Sequence, residues 1–463
     1  MLDCSEGYQL CRNIRIVLPV ASILKHPQSR HGIGLLTCLS LVTATMVGTG
    51  VYTSLGFQLV DLQSGFSILL LWGLGGLIAL CGALSYAELA VEIPRSGGEY
   101  TYLSELYHPA LGFMAAFVSI IAGFTAPIAL SSMAFGSYLH AALPLCPAKA
   151  ASFFAVVIIS LGHLQTLKFS GLVQNVMTSL KFLLIGLFLA VGLWNAARHP
   201  SGIGMFAPSA NSLTELFRPA SGVALIFVLY AYSGWNASSY LAGEVRDRRR
   251  TVGRSLVLGT LIVTLLYVVL NAIFLTAAPA NELRGVLNVG SVAATHLLGT
   301  MGGRVMSGMI GLGLLASISA MIWAGPRVTQ RVGEDYAAFA WLGKRSDQGI
   351  PTQATLLQLV LVLLLLTTGS FESVMLYAQV PLLLCLVLGV AGIFVLRNRS
   401  DQNCVIEGFR CPLFPVTPLL FIFCTLAALL YASITHPWES IAGLGTMILP
   451  LLVYPWVASR GKR

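Results

Sequence analysis

What this chain lacks first is charge. Only 10% of its 463 residues are Asp, Glu, Lys or Arg, while 56% are hydrophobic; an ordinary soluble domain carries about 25% charged residues. Water-facing surface needs polar atoms, and this composition cannot supply enough of them. A soluble fold is excluded, and the bilayer is the solvent. Cysteine is present but unpaired in pattern: Cys4, Cys11, Cys38, Cys81, Cys146, Cys385, Cys404, Cys411 and Cys424 stand singly, none at zinc or redox spacing. Most lie in apolar runs, where cysteine behaves as a small hydrophobe. Phosphate loops are missing too, since the glycine pairs Gly75-Gly76 and Gly302-Gly303 have no following P-loop lysine. No nucleophile–base set and no metal-ligand cluster is visible. The expectation is a protein that is not an enzyme and holds no cofactor and no metal.

What is present is a succession of apolar runs. A membrane helix needs about 20 largely uncharged residues, and twelve candidates are bounded by charges, prolines and glycines: 32–59, 64–88, 110–143, 149–166, 170–197, 219–243, 253–277, 303–326, 351–369, 373–396, 413–434 and 441–459. The stretch 288–299 reads as a short external helix. Residues 1–31 form an N-terminal segment whose apolar patch, Ile14 to Leu24 broken by Pro19, is too short to cross and has no convincing cleavage site.

Basic residues fix the orientation. With twelve spans and both termini in the cytoplasm, 21 of the 27 Lys and Arg residues fall on the inner side, five on the outer side, and Lys181 inside a span. That asymmetry is the positive-inside rule. It also accounts for the net charge of +9 without nucleic acid, because basic loops face anionic lipid.

Two spans are weakened in the middle. The first contains Thr45-Met46-Val47-Gly48-Thr49-Gly50-Val51-Tyr52, the sixth Tyr230-Ala231-Tyr232-Ser233-Gly234-Trp235-Asn236. Each glycine costs a helix about 1 kcal/mol relative to alanine. Unwound backbone at membrane depth survives only where it lines a cavity or is buried in protein. There it presents N–H groups at one half-helix N-terminus and carbonyls at the other half's C-terminus, donors for a carboxylate and acceptors for an ammonium. Small residues in membrane helices ordinarily mean close packing. The polar and aromatic residues around Ser233-Gly234 and the matched placement favour a site: about 183 residues separate Gly48 from Ala231, putting each break in the first helix of a possible five-helix repeat. The repeats run 32–197 and 219–396, and residues 397–463 add two more helices and a basic terminus. The expected fold is an all-α membrane protein of twelve helices in a 5+5 inverted repeat with helices 1 and 6 broken.

Lys181 is the other unusual residue. A lysine at a helix centre costs roughly 2.5–3.5 kcal/mol on insertion, and intramembrane ionisable residues are functional candidates. It lies about eleven residues into 170–197, roughly 16 Å at 1.5 Å per residue, too deep to snorkel easily.

These segments, with Tyr86-Ala87-Glu88-Leu89, Ile93-Pro94-Arg95-Ser96-Gly97-Gly98-Glu99-Tyr100, Gln174 through Lys181, Glu244-Val245-Arg246-Asp247 and Pro326-Arg327, resemble the amino acid–polyamine–organocation superfamily. Within it the chain is similar to L-type, light-subunit-like amino acid transporters and related bacterial permeases, over residues 32 to about 345. The resemblance implies a substrate carboxylate held by N–H groups of Thr49, Gly50 and Val51 beside Gly48. It implies an ammonium met by carbonyls of Met46, Tyr230, Ala231 and Ser233 next to Gly234, and an aromatic gate at Tyr230 with Trp235 nearby. It further implies that the Lys181 ammonium replaces a bound cation, tying span 1 to span 8 at Ser317 and Ser319. Cys146 is placed like the cysteine that joins light subunits to a single-span partner, but one Cys-Pro match is thin, and no heavy-subunit partner is expected.

The implied activity is sodium-independent secondary transport of amino acids, neutral L-amino acids first, by exchange or proton coupling, in a cell (inner or plasma) membrane. A cationic amino acid or polyamine permease is the alternative within the fold; an amino-acid-binding sensor without flux is the alternative outside it. Glu88, Arg95 and Glu99 read equally as an inner gate or a structural turn, and the Glu244–Arg254 charges as closing pairs or a solvated loop. His140, His163 and His296 read as interfacial residues.

Overall fold

The computed structural model describes residues 34–93, 95, 97–164, 167–198, 206–346, 349–399 and 409–461. The readings for residues 1–31, Pro94, Ser96 and Cys404, and for most side chains between Gln174 and Lys181, lie outside these.

Helices account for the described chain. The first apolar run is two helices, Leu35–Met46 (α1) and Gly50–Asp61 (α2), followed by Gly65–Glu92 (α3) and the short Gly98–Leu106 (α4). Next come Pro109–Val118 (α5), a π-helical turn over Ser119–Thr125, and Ala126–Ala142 (α6). Ala148–His163 (α7), Leu167–Arg198 (α8), Ala210–Leu216 (α9) and Pro219–Tyr232 (α10) lead to a 3₁₀ segment, Ala237–Glu244. Arg248–Ala277 (α11), Ala280–Leu283 (α12) and Val289–Asp335 (α13) follow, then Thr352–Thr368 (α14), Phe371–Arg399 (α15), Val416–Thr435 (α16) and Pro437–Ser459 (α17). Among the described residues nine stretches are long and apolar enough to cross a membrane. Three shorter apolar helices, α7, α10 and α14, fall where the fourth, sixth and ninth spans are expected.

Two boundaries differ from the sequence reading. The expected span 219–243 is helical only to Tyr232 and continues as a 3₁₀ turn, because Ser233 is extended and Gly234 takes φ +100°. The short helix expected at 288–299 runs directly into the next span, separated from it only by Gly299 at φ +75°.

The helices pack in a pattern that skips five. α2 lies against α10, α3 against α11, and α6 against α13. Buried polar side chains pin α2 to α10, α3 and α6. Gln58 donates to the Ala224 carbonyl at 3.2 Å and accepts from the Trp72 indole at 3.0 Å, and the Tyr138 hydroxyl donates to the Tyr52 carbonyl at 3.0 Å. In a medium without water such groups must find partners internally. At the far end of α3, Glu88 is buried and grips Arg397 of α15 in two parallel bonds of 2.8 and 2.7 Å. The Cys411 N–H donates to the same carboxylate at 2.6 Å, and Arg397 stacks on Phe414. This clamp joins the ends of α3 and α15 and the chain entering α16.

Candidate functional site

The break between α1 and α2 is made by three residues. The Val47 N–H completes the last turn of α1 on the Thr43 carbonyl at 3.0 Å, and the Gly48 N–H folds back onto the Met46 carbonyl at 2.7 Å. No side chain caps α2. The Thr49 hydroxyl pairs instead with Ser131 on α6 at 2.7 Å. The first N–H groups of α2, on Thr49, Gly50 and Val51, therefore form a donor-rich helix start at mid-chain depth, suited to an anion.

The two breaks touch each other. A side-chain carbon on Gly50 would stand 2.5 Å from the Cα of Ala231 and 2.7 Å from its Cβ. The Thr45 hydroxyl donates to the Gly234 carbonyl at 3.2 Å, and a carbon on Gly234 would meet the Thr45 carbonyl at 3.1 Å. Gly50 is thus glycine because the α10 backbone lies against it. Gly48 is different: an added carbon there would meet only the Met46 carbonyl oxygen, at 3.8 Å. Of the two glycines, Gly48 borders the open space and Gly50 makes the joint.

The carbonyls at the breaks already have partners within the protein. Tyr267 of α11, fully buried, points its hydroxyl at the Met46 carbonyl at 2.6 Å and the Ala231 carbonyl at 3.1 Å. With the Gly48 N–H already on it, the Met46 oxygen has both lone pairs engaged. The Tyr230 carbonyl accepts from the Ser233 N–H at 3.0 Å. The Gly234 carbonyl accepts from Thr45 and from the Ala237 N–H. Three of the expected ammonium acceptors, Met46, Tyr230 and Ala231, already accept a bond from the protein itself, and of these the Met46 oxygen accepts two. Tyr267 carried no signal in the sequence, since a lone tyrosine in an apolar helix is ordinary core composition.

Lys181 sits beside the same break. Its Nζ donates to Ser317 Oγ at 3.2 Å and to the Ala44 carbonyl at 3.5 Å, linking α8 to α13 and to the last turn of α1. With Gly48, Tyr52 and Gly313 it borders a cavity of about 10 Å³, near the ~10–15 Å³ that one water needs. Ser319 is not part of this group. Two residues further along a helix it faces the other way, and its hydroxyl pairs with His163 at 3.0 Å.

Three other candidates are placed as follows. The Ser233 hydroxyl donates back to the Leu229 carbonyl at 3.2 Å rather than lying free in the gap. The Trp235 ring is buried in the core, edge-on to Tyr86 at 5.0 Å and to Phe421 at 5.9 Å. Tyr230 begins an aromatic series that sequence reading missed: it meets Phe371 at 6.4 Å, Phe371 stacks on Phe57 at 5.5 Å, and Phe57 on Phe227 at 5.1 Å. Beyond these rings lies a cavity of about 250 Å³ whose walls include Asp61, Glu372 and His436.

The segment after the second break is held by a buried carboxylate. Glu99 of α4 accepts from Tyr86 at 3.0 Å, from the Asn236 amide at 2.6 Å, and from the Tyr240 hydroxyl. Its neighbour Tyr100 donates to Asp335 at 2.8 Å, and burial, followed by Tyr336 and Asp335, pushes the Tyr100 phenol well above its ordinary pKa. Arg95 takes no part, pairing with Glu105 at the surface.

Residues 33–452 match the family described as Amino acid permease. The chain is similar to the Serine/threonine exchanger SteT of Bacillus subtilis (strain 168), 29% identical over 396 residues, covering 84% of this chain and 88% of that protein. It is also similar to the b(0,+)-type amino acid transporter 1 of Mus musculus, 25% identical with 90% and 85% covered. To the Large neutral amino acids transporter small subunit 2 of Homo sapiens it is 26% identical, with 91% and 79% covered.

Proposed function

The chain belongs to the amino acid permease family, and on that premise we propose that it is a sodium-independent carrier of neutral L-amino acids, working by exchange or with a proton. In this reading twelve helices cross a cell membrane with both termini cytoplasmic, and two inverted five-helix repeats, 32–197 and 219–396, enclose the substrate at the paired breaks. The contacts of α2 with α10, α3 with α11 and α6 with α13 support the repeat, since each joins an element to the one five spans on. No heavy subunit is required in this reading, although one of the similar proteins is by name a small subunit.

One observation carries the proposal: an uncapped helix start at Thr49–Val51 lies directly against the end of a second broken helix at Ala231–Gly234. Such a pair offers N–H donors to a carboxylate and carbonyl acceptors to an ammonium within one small gap. The Lys181 ammonium, between α1, α8 and α13, supplies a fixed positive charge where a sodium-coupled carrier would need an ion.

The cationic alternative calls for a carboxylate at the breaks. Glu88 is engaged by Arg397, and Glu99 by Tyr86, Asn236 and Tyr240. Asp61 stands eleven residues along α2 from Gly50, about 16 Å at helical rise. Neutral substrates fit these placements better.

The test is purified protein in liposomes with a panel of radiolabelled amino acids, in sodium and in sodium-free buffer, with and without internal substrate. Saturable uptake of neutral amino acids that ignores sodium is expected. Uptake that needs sodium overturns the coupling proposal, and saturable binding without flux makes the protein a sensor.

A further inference from the structure

The Met46 carbonyl ends one broken helix and the Ala231 carbonyl lies at the end of the other, yet one side chain from a third helix reaches both. That side chain, Tyr267, has no exposed surface. Its ring is fixed by Trp72 edge-on at 5.5 Å and by Tyr232 at 5.1 Å. A phenol has a single hydrogen to donate. The bond at 2.6 Å to Met46 is the better of the two, so the Ala231 oxygen at 3.1 Å shares the donor rather than owning one. In a low-dielectric interior an incompletely satisfied carbonyl is costly. A primary ammonium brings three donors and, entering beside the phenol as the Met46 carbonyl moves off it, would serve both oxygens fully.

We infer that Tyr267 is a positioning residue for transport: its hydroxyl stands in for the substrate's ammonium in the empty carrier and gives way to it on binding. The inference rests on the amino acid reading above. The ring need not swing through the packed core for this exchange. Met46 terminates α1, which has only three buried residues, Cys38, Val42 and Met46. The rest of α1 packs on α11, Val42 against Gly259, so only the break end of the helix has to tilt away while the phenol stays. Binding and release of the helix end are then one event, because the group that replaces the Tyr267 donor also frees that end from α11.

The sign of the effect separates this role from a merely structural one. If the phenol competes with the ammonium, removing its hydroxyl must tighten substrate binding; loss of an ordinary structural bond leaves KM unchanged or raises it. Tyr267→Phe keeps the ring and its stacking. Its KM for the best wild-type substrate should fall roughly 3- to 10-fold, the span of one net hydrogen bond, with kcat reduced because the empty carrier no longer re-docks α1. Fluorotyrosine introduced at position 267 is a stronger donor of the same shape, and should raise KM instead; this arm decides the matter if the Phe protein does not fold. An unchanged or higher KM in the Phe protein, or an unchanged or lower KM in the fluorotyrosine protein, overturns the inference. Wild-type liposomes that take up no amino acid overturn the functional reading itself, so the two failures are told apart by the wild-type lane.

Discussion

The two halves of the first broken helix are twelve residues each, equally apolar in appearance and only three residues apart, yet the protein treats them differently. α2 buries nine residues, among them Tyr52, Thr53, Ser54 and Gln58, and its polar groups bond across to α3, α6 and α10. α1 buries three and leaves Leu36, Thr37, Ser40 and Thr45 exposed. Its hydrogen bonds to the rest of the molecule cluster at the break, Thr45 to Gly234, Met46 to Tyr267 and Ala44 to Lys181, while along its length it packs on α11, with Val42 against Gly259. A half-helix held at one end by a few hydrogen bonds is the low-stability unit that conformational change draws upon. In the proposed transport reading α2 belongs to the fixed frame, and α1, with fewer buried residues and its outward hydrogen bonds gathered at the break, is the half expected to move.

The comparison breaks most visibly at Gly50. Gly50→Ala forces a carbon into the α10 backbone, an overpacking of about 1–3 kcal/mol or more, and is expected to bring uptake below detection and lower the melting temperature. Normal uptake by that protein would mean that the joint between the breaks is not needed.

Next in size is Lys181→Ala. Without the ammonium, Ser317 and the Ala44 carbonyl lose a donor, about 1–3 kcal/mol for buried unsatisfied groups, enough to shift a two-state equilibrium roughly ten- to a hundredfold. Initial uptake rates should fall by that factor. Undiminished rates would make Lys181 a structural residue.

Cysteine labelling tests the asymmetry directly. A maleimide should modify Ser40→Cys on α1 at least about tenfold faster than Ser54→Cys on α2, given the local opening energies that separate loose from core segments; equal rates would erase the distinction drawn here. The smallest effect is expected at Gly48→Ala. With open space beside it the melting temperature should stay within the ±0.5 kcal/mol equivalent of a neutral change. KM should nonetheless rise, since the new methyl enters the gap. A drop in stability with KM unchanged would exchange the roles of Gly48 and Gly50.

The sequence made some of this visible and hid the rest for physical reasons. Glycines at mid-membrane depth are costly, so the breaks at Gly48–Gly50 and Ser233–Gly234 announce themselves, and so does a lysine inside an apolar run. Which glycine packs and which borders space depends on Ala231, a residue about 180 positions away. Tyr267, Phe57 and Phe371 are ordinary aromatic residues of apolar helices, and only the crossing of α11 with both breaks, or the meeting of α2 with α15, gives them a place. Backbone partners are equally illegible: nothing in Met46 says that its carbonyl is already doubly engaged. Ser319 shows the converse error, a correct helix with the wrong face.

The clamp at Glu88 bears on how the protein is made. Its carboxylate is satisfied by Arg397 and by the Cys411 N–H, respectively 309 and 323 residues later in the chain. At about 5–20 residues per second of synthesis, roughly 15 to 60 seconds pass between the emergence of the acid and that of its partner. Over that interval an unpaired Glu88 carboxylate would cost up to roughly 2.5–3.5 kcal/mol in hydrocarbon, so the clamp can close only once Arg397 and Cys411 have been made, late in synthesis of the chain.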